Sequence, residues 1–179
     1  MRSTLHTARF FLRPFTLADA DDVTRIVSDR ELAATTLNIP HPYEPGMAAA
    51  WIATHADGLH RQSPVVFAVT TREDAELVAA IGLSLEPEHH RAELGYWVAR
   101  AAWGQGVCTE AARAVLQYGF GVLGLERIFA HHFAGNPASG RVMQKLGMRH
   151  EGTMRGHIVK WGRREDVECY GILREEFPE

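Results

Sequence analysis

The chain has 179 residues, of which 46% are hydrophobic and 23% charged, and its formal net charge is −3. This is the composition of an ordinary folded domain; it argues against disorder and against a general attraction to nucleic acid or to an anionic membrane. The two cysteines, Cys108 and Cys169, belong to no CxxC motif, so we expect neither a disulfide framework nor a cysteine metal site. Neither the N-terminus nor any later segment is apolar for long enough to predict a signal peptide or a membrane span, and the cytoplasm is the expected location.

The N-terminal third predicts a strand, a helix and a loop. Residues 9–13 form an apolar strand that Pro14 closes, because proline cannot donate to a ladder. Thr16 can cap the following helix, which we expect to end between Ser28 and Arg30. The proline-rich segment from Glu31 to Pro45 shows no clean period and predicts a loop.

The middle of the chain predicts a second helix from Gly46 to about Arg61 and then three strands. The strands cover 65–70, 77–85 and 92–99 and form an antiparallel meander. A helix beginning near residue 107 leads into a short strand at 127–132, which makes a βαβ unit.

The C-terminal part predicts one more helix and two strands. Asn136-Pro137 suits a helix start, and Gly147 is a natural stop. The strands cover about 148–157 and 166–173 and are joined through Gly162-Arg163-Arg164. The whole chain, 1–179, is therefore predicted to form a single α+β domain, with a mixed, mostly antiparallel sheet of six to seven strands flanked by about four helices.

A glycine-rich turn joins the last strand of the meander to the next helix, with the sequence Trp103-Gly104-Gln105-Gly106-Val107-Cys108-Thr109. Glycine lets the backbone curl around a ligand, and the first N–H groups of a helix have no partner and carry partial positive charge. The turn therefore predicts an anion site. A P-loop is excluded because no GK[ST] follows Gly106, and a dinucleotide fold because one βαβ unit follows a meander.

In this order, the features resemble the GNAT superfamily of acetyl-CoA-dependent N-acetyltransferases, and more closely its branch of RimJ/RimL-type ribosomal-protein N-terminal acetyltransferases. The segments that carry the resemblance are Phe11-Leu12-Arg13-Pro14-Phe15, the strand Glu93 to Val98, the glycine turn, Asn136-Pro137-Ala138-Ser139, Lys145-Leu146-Gly147-Met148 and Lys160-Trp161-Gly162. The resemblance thus covers nearly the whole chain.

The resemblance implies that backbone N–H groups from Gly104 to Thr109 hold the pyrophosphate of acetyl-CoA. In the family's (Q/R)xxGx(G/A) loop, Trp103 replaces the polar first residue and Cys108 replaces glycine or alanine. The residues implied to bind the cofactor are Trp97, Val98, Gly104, Gln105, Gly106, Val107, Cys108, Thr109 and Asn136. A helix cap explains Asn136 equally well, and Cys108 also fits a small buried residue without a covalent role.

Transfer of an acetyl group to an amine requires a proton acceptor for the ammonium and a proton donor for the leaving thiolate. The resemblance implies that Glu93 is the base or a substrate anchor; the alternative is an exposed strand residue paired with an arginine. The tyrosine that many members use as acid is missing from residues 142–145, and Ser139 is the candidate donor, with helix capping as its alternative. Reserve candidates are Tyr96, His131 and Glu151. Arg141 and Lys145 are candidates for the ribose phosphate, with solvated charges as the alternative, and we expect no metal.

The predicted activity is direct acetyl transfer from acetyl-CoA to a primary amine in a ternary complex, and the resemblance is compatible with a homodimer. The acceptor is a protein N-terminus or a small amine. The segments 31–45 and 157–164 are expected to border it, and neither carries the acidic cluster that a polycationic drug favours. The alternative function is a non-catalytic acyl-CoA binding or sensing domain.

Overall fold

The computed structural model describes residues 4–54 and 64–178. Within them lies one sheet of eight strands in the order β1-β2-β3-β4-β5-β6-β8-β7. The strands are β1 Leu5–His6, β2 Phe10–Pro14, β3 Val65–Thr71, β4 Leu77–Glu86, β5 Arg91–Val98, β6 Arg127–Phe133, β7 Arg149–Lys160 and β8 Arg163–Leu173. The α-helices are α1 Ala20–Val27, α2 Arg30–Ala34, α3 Met47–Ala53, α4 Val107–Gly121 and α5 Pro137–Lys145. This confirms the predicted single α+β domain with a mixed, mostly antiparallel sheet.

The sheet opens between its two central strands. β5 and β6 are parallel, as the predicted βαβ unit requires, while the other neighbouring strands pair antiparallel. The β5–β6 ladder contains three pairs and ends at Glu93↔Phe129, although β5 continues to Val98 and β6 to Phe133. Beyond Glu93 the strands therefore splay apart, and the fold has a V-shaped opening in the middle of its sheet.

Two apolar clusters cover the two faces of the sheet. Leu94 of β5 belongs to a cluster with residues of α4, whereas Trp97 belongs to a second cluster with residues of α1, α2 and α3. Successive side chains alternate between the faces of a strand, so Glu93 and Gly95 share the face of Trp97, and Tyr96 shares the face of Leu94. We call these the α1–α3 face and the α4 face.

Three elements differ from the prediction. β1 is an additional strand of two residues, too short to leave a pattern. α2 falls within the predicted loop, where the Asp29 carboxylate accepts hydrogen bonds from the backbone N–H groups of Glu31 and Leu32 and so caps a helix of five residues. The β7–β8 hairpin is longer than expected because its turn is at Trp161 and Gly162, both with left-handed φ angles of 50° and 78°, rather than at 162–164.

The predicted helix from Gly46 to Arg61 begins as expected, since α3 starts at Met47. Its later part, residues 55–61, lies outside the described residues. Among the helices that are described, none is long and apolar enough to cross a membrane. The described residues also contain no group of three or more His, Cys, Asp or Glu side chains arranged to hold a metal ion.

Candidate active site

The glycine-rich turn has the geometry of an anion cradle. Gly104 and Gly106 have φ angles of 75° and 77°, in the left-handed region that side chains disfavour. Gly106 is the N-cap of α4 and, as a glycine, has no side chain that could cap the helix. The first N–H groups of α4 therefore lack partners from a capping side chain, and Gly104, Gly106, Val107, Cys108 and Thr109 line a cavity of about 1140 Å³.

Arg9, which precedes β2, braces this turn from outside. Its Nη1 donates to the carbonyl oxygen of Gln105 at 3.0 Å, and its Nε donates to the Glu110 carboxylate at 2.7 Å. The backbone N–H of Arg9 donates to the same carboxylate at 2.9 Å. The hydrogen bond to the Gln105 carbonyl therefore restrains rotation of the turn. Arg9 carries no signal in the sequence, since its partners are about a hundred residues away in the chain.

The thiol of Cys108 is not activated by its place at the helix start. Burial raises the pKa of the Cys108 thiol, so the group is neutral at physiological pH. Nucleophilic cysteines require the opposite shift. Its environment therefore fits the small packing residue of the sequence analysis.

Trp103 closes the end of β5. Its indole Nε1 donates to the Val98 carbonyl oxygen at 2.8 Å. The next residue, Ala99, donates its backbone N–H to the carbonyl oxygen of Val78 on β4. The backbone N–H and carbonyl of Val98 therefore point away from β4 and toward the splay. The Val98 carbonyl is thus engaged within the protein, while the Trp97 side chain is buried on the α1–α3 face.

On the α4 face, Asn136, Ser139 and Tyr96 meet. Asn136 is the N-cap of α5, and its Oδ1 accepts from the Ser139 N–H at 3.3 Å. The buried Ser139 hydroxyl lies 2.6 Å from the Tyr96 hydroxyl, a contact between β5 and α5. Burial raises the pKa of Tyr96 strongly, so its hydroxyl stays protonated and can donate.

On the α1–α3 face, Glu93 meets His131 at the point where the β5–β6 ladder ends. The Glu93 carboxylate lies 3.1 Å from Nδ1 of His131, and both side chains are partly exposed and line the cavity. An ionised carboxylate can only accept, so Nδ1 carries the proton in this pair, and the lone pair of a neutral ring is then on Nε2. The partner of Glu93 is therefore a histidine rather than the arginine considered in the sequence analysis.

The remaining sequence candidates have structural partners or lie at the rim of the cavity. Glu151 forms an ion pair with Arg127, and the hydrogen bond from Arg127 lowers the pKa of Glu151. Arg141 and Lys145 line the cavity from α5. His132 donates from Nδ1 to the Phe133 carbonyl at 2.8 Å, and its buried Nε2 has no hydrogen-bond partner among the described residues.

Comparisons with known proteins agree with this site. Residues 9–149 match the family model for the acetyltransferase (GNAT) domain. The chain is 31% identical to the uncharacterized N-acetyltransferase YoaA of Bacillus subtilis over 171 residues, which covers 95% of this chain and 96% of YoaA. It is also 32% identical over 105 residues to the putative ribosomal N-acetyltransferase YdaF of the same organism, with 58% of this chain and 57% of YdaF covered.

Among solved structures, Mycobacterium smegmatis RimJ in complex with CoA-disulfide superposes with a TM-score of 0.86 at 24% identity, covering 99% of this chain and 90% of RimJ. That match shows the fold. The family model and the similarity to YoaA establish that the chain belongs to the GNAT family of acetyl-CoA-dependent N-acetyltransferases. The expected resemblance to the ribosomal-protein branch is confirmed by the similarity to YdaF.

Proposed function

We propose that the protein transfers the acetyl group of acetyl-CoA directly to a primary amine in a ternary complex. The observation that carries this proposal is the placement of two hydrogen-bonded pairs, Glu93–His131 and Tyr96–Ser139, on opposite faces of β5 beside the splay. One pair suits a proton acceptor and the other a proton donor, which are the two groups that the reaction requires.

The cradle at the start of α4 fits the pyrophosphate of acetyl-CoA. Two left-handed glycines and a helix start without a side-chain cap present backbone N–H groups to the cavity. Acetyl-CoA supplies the activated acetyl thioester. Gln105 contributes through its backbone, whose carbonyl accepts a hydrogen bond from Arg9, and Asn136 lines the cavity from α5. Trp97 and Val98, at the end of β5 beside the splay, are proposed to contact the arm of the same molecule.

The Glu93–His131 pair would remove the proton from the ammonium. Nε2 of His131 accepts this proton, and Glu93 fixes the ring through Nδ1 and stabilises the imidazolium that forms. The neutral amine nitrogen then forms its bond to the acetyl carbon as the carbon–sulfur bond breaks, and the nitrogen loses a second proton to become the amide. His131 accepts this second proton after releasing the first to solvent, and the proton that is given to the departing thiolate is replaced from solvent. This assigns Glu93 an indirect role in deprotonation, in place of the role of base that the resemblance implies.

Tyr96 and Ser139 would return a proton to the departing thiolate. The raised pKa of Tyr96 keeps its hydroxyl protonated, and the hydrogen bond to Ser139 lets either oxygen present the proton. Tyr96 on β5 would then supply the hydroxyl that the α5 segment lacks. A neutral Cys108 thiol makes an acetyl-enzyme route through this cysteine unfavourable.

The test is release of free CoA thiol coupled to mass analysis of the acceptor, with small amines and peptides. The proposal expects equal amounts of free thiol and acetylated amine. Tight acetyl-CoA binding without turnover on any acceptor would instead support the alternative, a binding or sensing domain.

A further inference from the structure

On the α1–α3 face, the β5 backbone at Gly95 is left uncovered and forms the floor of the cavity. Gly95 of β5 pairs with Gly82 of β4, and the next register pair on the same face is Glu93 with Ser84. A methyl group added at Gly95 would meet no atom within 4 Å, and Gly95 is exposed although its strand is central in the sheet. Protein interiors are normally close-packed, so this open space on the face of Glu93 can accommodate a group of a bound ligand.

Much of the cavity lining is apolar. It includes Leu37 and Ile39 of the loop after α2, Tyr43, Met47 of α3, and Met154 and Ile158 of β7. Leu37 is 48% exposed and Met47 38% exposed, so apolar surface is left uncovered. A group that covered it would gain hydrophobic free energy on binding.

The charged side chains that line the cavity bear on how many positive charges an acceptor can carry. Among the described residues that line the cavity, Glu93 is the only carboxylate, and it is already hydrogen-bonded to His131. The basic side chains that line the cavity include His157 of β7. A second ammonium group on the acceptor would find no carboxylate partner in this part of the cavity, and burying an unpaired charge is costly.

The wall is held in shape before any acceptor binds. Lys160, at the end of β7, is buried, and its Nζ donates to the carbonyl oxygens of Leu37 and Ile39 at 3.2 and 2.8 Å. These two hydrogen bonds join the loop to the β7–β8 hairpin, so the apolar chamber is preorganised and less ordering entropy is lost on binding.

We propose that the acceptor of this enzyme is a primary amine attached to an aromatic or branched apolar group, with no second positive charge, and that the apolar group lies over Gly95. This inference rests on the proposed acetyl transfer and names its substrate class. A small arylalkylamine and a polypeptide whose first residue is large and apolar share this chemistry.

The test compares kcat/KM for five acceptors: 2-phenylethylamine, ethanolamine, spermidine, and two otherwise identical peptides beginning with Phe or Ser. We expect the phenyl compound, the Phe peptide or both to exceed their polar counterparts by about 10-fold or more, as burial of a ring implies. Preference for the free amine identifies a small-molecule source, and preference for the peptide identifies a polypeptide source. The inference is overturned if neither apolar acceptor exceeds its polar counterpart, or if spermidine is turned over as well as the better apolar acceptor. Either result leaves the proposed acetyl transfer standing.

A steric variant tests the place of the apolar group. In Gly95→Leu, the leucine side chain occupies the space above Gly95, and the backbone is not strained because Gly95 has no left-handed φ angle. Gly121→Ala on α4 is the control, because a Cβ at Gly121 also meets no atom within 4 Å. Gly95→Leu is expected to lower kcat/KM for the favoured acceptor by about 10-fold or more while the Kd of acetyl-CoA stays unchanged. Unchanged kinetics in a folded Gly95→Leu protein would overturn the placement over Gly95. If acetyl-CoA binds and no amine turns over, the proposed function fails and the inference with it.

Discussion

Glu93 and His131 are 38 residues apart in the sequence, yet their side chains meet at 3.1 Å where the parallel ladder between β5 and β6 ends. The ladder sets this contact, because Glu93 pairs with Phe129 and His131 is two residues further on the same face. A carboxylate that orients an imidazole beside an open cavity is an arrangement suited to proton transfer near neutral pH.

Loss of either member of this pair should slow the chemical step. We expect Glu93→Gln and His131→Gln each to lower kcat by about 10²- to 10⁴-fold, the range for a general base. Because the two groups act as a unit, the double variant should be little worse than the poorer single variant. Steady-state kinetics, with acetyl-CoA affinity by calorimetry as the control, would check this. Near-normal kcat in both single variants would exclude the pair as the base.

Tyr96 and Ser139 are expected to contribute less than the base. Tyr96→Phe should lower kcat by about 10- to 100-fold, and Ser139→Ala by less, because water can replace part of a proton donor. Since the pKa of Tyr96 is raised, its hydroxyl does not ionise in the assay range, and Tyr96→Phe should keep the alkaline limb of the wild-type pH profile. An alkaline limb that vanishes in Tyr96→Phe would mean that Tyr96 titrates there.

The role of the glycine-rich turn in binding acetyl-CoA can be tested by substitutions that alter its backbone. Gly106→Ala puts a Cβ at a φ angle of 77°, at a cost of about 1–2 kcal/mol, and should weaken acetyl-CoA binding by about 10-fold. Arg9→Met, which frees the Gln105 carbonyl, should weaken acetyl-CoA binding in the same direction. Calorimetry would measure both, with Gly121→Ala as the control. Wild-type affinity in both variants would argue against this turn as the pyrophosphate site.

Substitution of Lys160 should affect the KM for the amine acceptor and leave the KM for acetyl-CoA unchanged. Lys160→Met removes the hydrogen bonds to Leu37 and Ile39, so we expect a higher KM for the amine and an unchanged KM for acetyl-CoA. Arg163→Met, at an exposed residue across the hairpin turn, is the matched control. If the KM for acetyl-CoA rose instead, the loop would have to contribute to the cofactor site.

A buried ion pair near the N-terminus should govern acid stability. Burial by itself would raise the pKa of Asp19, but hydrogen bonds from Arg13 and Thr16 and the charge of Arg13 lower it overall. A lowered folded-state pKa means that the stabilisation is present above the unfolded pKa of about 3.9 and is lost as pH falls through the folded value. Asp19→Asn should therefore cost about 1–3 kcal/mol at neutral pH and less at low pH.

Urea unfolding across this pH range would measure the effect of Asp19→Asn. The control is Asp22→Asn, whose exposed pair with Arg25 should contribute less than about 1 kcal/mol. A loss of stability in Asp19→Asn that did not shrink at low pH would contradict the assignment to the ionised carboxylate.

The sequence predicts most of this fold because its strands and longer helices carry clear apolar periods. The two-residue β1 and the five-residue α2 are too short to have a period, and α2 depends on the Asp29 cap. The cofactor turn was predictable because its residues are contiguous. The Tyr96–Ser139 contact was not, since its residues are 43 positions apart and meet only through the packing of α5 on the sheet.

The most direct test of the central claim is a single turnover with acetyl-labelled acetyl-CoA, followed by mass analysis of both protein and amine. Direct transfer predicts that the label appears on the amine at the rate of thiol release, and that protein incubated without an amine carries no label. Label on the protein before the amine is added, or thiol release that leaves the amine unacetylated, would contradict direct transfer.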